Sequence, residues 1–101
     1  MTLPIACKLT PEQLRDRGAS LLPGLVTRAD AITPVGEGYR LTFSGQDATI
    51  LSAIAACAEA ERRCCPFLAF DISVAPEVGP IILVVSGPTG TQAFLKTLLS
   101  Q

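Results

Sequence analysis

The chain has no histidine and no tryptophan, and only one tyrosine and one methionine among its 101 residues. Without histidine it lacks the commonest transition-metal ligand and the usual proton-transfer group near neutral pH. Any metal held by its side chains must be held by cysteine sulfur, with carboxylate oxygen as the other donor. Such a donor set favours soft ions, Cu(I), Hg(II) and Zn(II), over hard ones. Aromatic residues are scarce, and the 8 basic and 9 acidic residues are dispersed to a net charge of -1. Nucleic-acid binding therefore has neither a stacking surface nor a basic footprint to rest on. The longest purely apolar stretch, Ile81-Ile82-Leu83-Val84-Val85, is far too short to span a bilayer. Residues 1–9 show no charged segment leading into a long apolar one, and Leu3-Pro4-Ile5-Ala6-Cys7 has no hydrophobic segment before it. The expectation is a cytoplasmic protein with no membrane partner, whose cysteines stay reduced.

What is present is apolar material. Hydrophobic residues make up 49% of the chain against 17% charged, enough to fill one core at a length that leaves no room for a second. Residues 1–101 are read as a single domain. Thr10-Pro11-Glu12 starts a helix, with Thr10 as N-cap, Pro11 at the first helical position and Gln13 completing a capping box. This helix is expected to run to about Leu22, to break at Pro23-Gly24, and to resume for a turn over 25–29. Residues 31–35 and 39–43 read as a hairpin around Gly36-Glu37-Gly38, with Pro34 restricting its strand to a sheet edge. Residues 47–65 are helical, with Asp47 as cap and Pro66 as terminator. Residues 67–75 alternate as a strand, Pro76-Glu77-Val78-Gly79 turns the chain, and 80–86 is a continuously apolar, central strand. A last helix follows Gly87-Pro88-Thr89-Gly90-Thr91, with Phe94, Leu95, Leu98 and Leu99 as its apolar stripe. The segment before it is read as a turn with an N-cap; it lacks the lysine and the spacing of a phosphate loop. The order α-ββ-α-ββ-α gives an α+β fold: a four-stranded antiparallel sheet with helices.

The four cysteines are Cys7, Cys57, Cys64 and Cys65. On a helical wheel for 47–65, Ile50, Leu51, Ile54, Cys57, Ala58, Glu61, Cys64 and Cys65 fall on one side, while Glu59, Arg62 and Arg63 fall on the other. Cys57 and Cys64 lie about 10 Å apart along such a helix, too far to share one ion. Cys57 reads as a small buried hydrophobe. Cys64-Cys65-Pro66 is different: two adjacent thiols sit at a proline-terminated helix end, two sulfurs too few for a four-ligand structural zinc site but suited to a low-coordinate Cu(I) or Hg(II) ion. Cys7 supplies a third sulfur if its segment folds back over the sheet. Glu61, between Cys57 and Cys64, either pairs with a neighbour such as Arg62 or Arg63 or, if it faces the core, has its pKa raised by burial and stands as a proton source beside the thiols. The C-terminal end of a helix disfavours thiolate, so a redox nucleophile would need help that a coordinated metal does not.

The stretch Glu61-Arg62-Arg63-Cys64-Cys65-Pro66-Phe67-Leu68 resembles a motif of small bacterial proteins whose genes often lie near mercury and other heavy-metal resistance genes. The flanks Ile5-Ala6-Cys7 with Leu9-Thr10, and Ser86-Gly87-Pro88 with Gly90-Thr91, are similar too. The resemblance implies a heavy-metal setting and gives weight to Cys64, Cys65, Cys7 and Glu61; Cys57 belongs to no part of that pattern. The function expected from all this is soft-metal thiolate binding, with Cys64, Cys65 and Cys7 as ligands and Glu61 and Cys57 as supporting residues. The alternatives are a thiol-dependent enzyme, organomercurial-lyase-like or redox, and a small interaction module with structural cysteines. A homodimer is compatible with each, and the missing activation of the thiols favours binding over catalysis.

Overall fold

Two hairpins build the sheet of this protein, and the computed structural model describes residues 22–99. Helix α1 is Leu22–Val26, followed by strands β1, Ala31–Val35, and β2, Gly38–Phe43. Helix α2, Ile50–Cys64, leads to β3, Ala69–Val74, and β4, Ile81–Ser86, and helix α3, Thr91–Leu99, ends the description. The sheet is four-stranded and antiparallel in the order β1-β2-β4-β3, as an α+β chain of this pattern should be. β4 is central and β1, with Pro34, is an edge. The helix expected from Thr10 lies outside the described residues. Pro23-Gly24, expected as a break, instead falls inside α1; a proline in the first turn of a helix has no N–H to satisfy and fits there without strain.

The first hairpin closes through Gly36 and Glu37, with Val35 opposite Gly38. Gly36 takes φ 52, the left-handed conformation a tight two-residue connection needs at its first position. Glu37 and its neighbours then reach to α3. Gly90 N–H donates to Glu37 Oε1 over 3.1 Å, and Gln92 Nε2 donates to the carbonyls of Gly36 and Gly38. The start of α3 is thus capped by the chain's own carboxylate, in keeping with a turn and N-cap at 87–91.

Leu41 and Phe43 of β2 and Ile81, Leu83 and Val85 of β4 point to one face and are buried. They pack with Leu25 of α1, Ile50, Ile54 and Cys57 of α2, and Leu95 of α3. The intervening residues of the two strands, Arg40, Thr42, Ile82 and Val84, are half-buried or exposed on the opposite face. Among the described residues the core is therefore one-sided, between sheet and helices. No helix among the described residues is long and apolar enough to cross a membrane.

Candidate thiol and carboxylate site

Helix α2 begins one residue after Thr49 rather than at Asp47. Asp47 Oδ1 accepts the Thr49 N–H, and Oδ2 accepts Arg28 Nη2 at 2.6 Å. The Arg28 hydrogen bond above all, then those from Thr49, draws the Asp47 carboxyl down to about 2. At the other end Cys65 takes φ -120 and ψ 80, outside the helical region, as the residue before a proline must. The Cys65 N–H still donates to the Glu61 carbonyl, at 2.6 Å, and the Leu68 N–H donates to the Cys65 carbonyl. Cys65-Pro66-Phe67-Leu68 is thus a hydrogen-bonded turn with proline at its second position, where φ is already set. Phe67 and Leu68 are buried, and the Phe67 ring meets Phe94 of α3 edge-on, centroids 5.1 Å apart.

Along the buried side of α2 run Cys57, Glu61 and then Cys65, one turn apart, at 1%, 2% and 0% exposure. Both cysteines are buried thiols. The opposite side carries Glu59, which binds Arg63 at 2.8 Å and Arg62 at 3.3 Å. The hydrogen bond from Arg63, followed by that from Arg62, lowers the Glu59 pKa. The two arginines that were candidates to solvate Glu61 are therefore engaged with Glu59, and Glu61 takes the other of its two expected positions, facing the core. Leu51, expected on the apolar side, is 42% exposed; it sits in the first turn, one step round the helix from Ile50, and Ile50 alone of the two points at the sheet.

Cys7 and the side chain of Cys64 lie outside the described residues. Among those described, no three cysteine, aspartate or glutamate side chains gather as a ligand set. Cys57 and Cys65 are two helical turns apart, about 12 Å along the axis, so these two sulfurs do not share an ion on the helix as it stands. Glu61 lies midway between them.

One residue of this region carries weight that motif reading does not reveal. Gly87, on the loop from β4 to α3, packs against the carbonyl of Phe67 and the side chain of Thr91: a Cβ there would lie 2.9 Å from the Phe67 oxygen and 2.5 Å from Thr91 Oγ1. Only glycine lets the turn after Cys65 approach the start of α3 this closely. Its signal in the sequence was its place in Ser86-Gly87-Pro88, one of the flanks of the resemblance.

No family model, no curated protein and no solved structure matches the chain.

Proposed function

We propose that this protein is a cytoplasmic thiolate binder of a soft metal ion, Hg(II), Cu(I) or Zn(II), with Cys64 and Cys65 as ligands and Cys7 as a third. The observation that supports the reading best is Glu61, a carboxylic acid 2% exposed in a row with two buried thiols and next to the Cys64-Cys65 step. A thiol that binds a metal must lose its proton. In this reading Glu61, in the row with those thiols, exchanges protons with that process. Helix-end position works against a standing thiolate, so the metal itself supplies the drive for deprotonation. Such a protein would belong to heavy-metal handling or resistance.

The same acid favours a second reading, an enzyme that breaks a metal–carbon bond: thiolates hold the metal while Glu61 delivers its proton to the departing carbon. Anaerobic titration with each ion, followed by thiolate-to-metal charge-transfer absorption, tests the first reading. Binding should weaken by orders of magnitude in Cys64→Ser and Cys65→Ser; if both variants bind as tightly as the parent, the metal reading fails. Turnover of an organomercurial that is lost in Glu61→Gln while metal affinity persists would select the enzyme.

A further inference from the structure

The two edges of the sheet are not alike. Pairing parity can be followed across all four strands. Val35 and Gly38 flank a two-residue connection and so form a hydrogen-bonded pair; from there the alternation of antiparallel ladders turns Tyr39, Leu41 and Phe43 toward β4. Ile82, Val84 and Ser86 of β4 must then face β3, where they meet Ser73, Asp71 and Ala69. The Ala75 N–H bond to the Pro80 carbonyl, at 3.2 Å, has the same parity. The backbone groups of Phe70, Ile72 and Val74 consequently point away from the sheet. On β1 the outward positions are Ile32 and Pro34, and Pro34 has no N–H to offer. β3 has no proline, lysine or arginine along its length, and Ile72 and Val74 are 41% and 55% exposed. Natural edge strands usually carry such guards; along its own length this one carries a single charge, Asp71.

We propose that β3 is the self-association edge of the protein, where a second copy pairs antiparallel about a two-fold axis at Ile72. In that register Ile72 meets the second copy's Ile72 and Phe70 meets Val74, each pair exchanging both backbone bonds because all three residues are turned outward. Their side chains form one apolar row on the helix-bearing face. On the opposite face Asp71 falls across from Ser73, a hydroxyl able to donate to it. The neighbouring registers are worse. An axis at Asp71 sets two carboxylates directly opposite each other, and an axis at Ser73 aligns Phe70 with Pro76, which has no N–H. The sequence of β3 is thus self-complementary in charge, size and backbone direction in one register, and the product is a closed two-fold dimer with an eight-stranded sheet.

Sedimentation equilibrium of the full chain over about a hundred-fold dilution, in metal-free reducing buffer, tests this. The parent should pass from dimer to monomer. The amides of Phe70, Ile72 and Val74 should gain hydrogen-exchange protection with concentration, while those of β1 stay constant. Ile72→Lys should raise the dissociation constant at least about ten-fold. Ser73→Lys, a surface change that leaves the fold intact, should lower it by placing an ammonium opposite each Asp71; Thr33→Lys on β1 should do nothing. A mass that stays monomeric, an association broken by Val84→Lys but not by Ile72→Lys, protection of the three amides already in the dilute monomer, or weaker association of Ser73→Lys overturns the proposal.

Discussion

Cys57 and Cys65 are equally buried, and burial alone cannot tell a structural thiol from a ligand. Their surroundings differ. Cys57 lies in mid-helix against Ile50, Ile54 and the sheet, whereas Cys65 ends the helix, holds the turn through Pro66 and adjoins Cys64. Cys57→Ala should therefore cost about 1 kcal/mol in urea denaturation and leave metal stoichiometry unchanged. Cys65→Ala should show a similar loss of stability together with the loss of binding, so a calorimetric titration on the same two variants separates the roles. Much of this row was readable from spacing, because residues on one helix share a face by geometry alone. Cys57, Glu61 and Cys65 on one side and Glu59, Arg62 and Arg63 on the other follow from about 100° per residue. Which face the sheet covers completely was not readable, and Leu51 shows the difference. Nor was the need for glycine at 87, which depends on the Phe67 carbonyl, twenty residues earlier in the chain.

Turns and caps show the same limit at the level of elements. Gly36 announces its hairpin, since glycine is the residue that takes positive φ without penalty. The turn at 76–79 does not announce its conformation: Glu77 and Val78 both adopt positive φ, 59 and 57, and the Gly79 N–H bonds the Pro76 carbonyl. A β-branched residue there is strained. Val78 is 60% exposed, so Val78→Gly removes strain and little packing and should raise stability by about 1 kcal/mol, read as a higher urea midpoint with an unchanged slope. The start of α2 gives a second test. The Asp47 carboxyl is drawn from 3.8 to about 2 chiefly by Arg28, a lowered folded-state value, so its contribution is complete above the unfolded value and disappears as pH falls from about 4 toward 2. In Arg28→Met, acid unfolding followed by circular dichroism should lose part of its dependence on pH within that window, and added salt should narrow the gap between variant and parent.

Among the described residues, the helices, and hence the dry core, lie on one side of the sheet. The alternation in 39–43 made this partly legible, but the run at 81–85 did not: it is apolar at every position and reads only as a central strand, with neither face marked. The structure divides that run. Ile81, Leu83 and Val85 are buried under the helices at 5%, 1% and 2%, while Ile82 and Val84 lie on the uncovered face between Arg40, Thr42, Asp71 and Ser73. Central position in the sheet, with a strand on each side, keeps those two half-buried with no other described element above them. The energetic consequence is a sharp asymmetry between adjacent residues. Leu83→Ala opens a cavity in the core between sheet and helices and should cost roughly 3 kcal/mol, a large part of the total for a domain of this size. Val84→Thr changes a side chain that already borders water and should cost less than about 1 kcal/mol. Equal losses in the two variants, measured by urea denaturation of the metal-free reduced protein, would mean that a second layer covers the far face in solution, and the one-sided core would have to be abandoned.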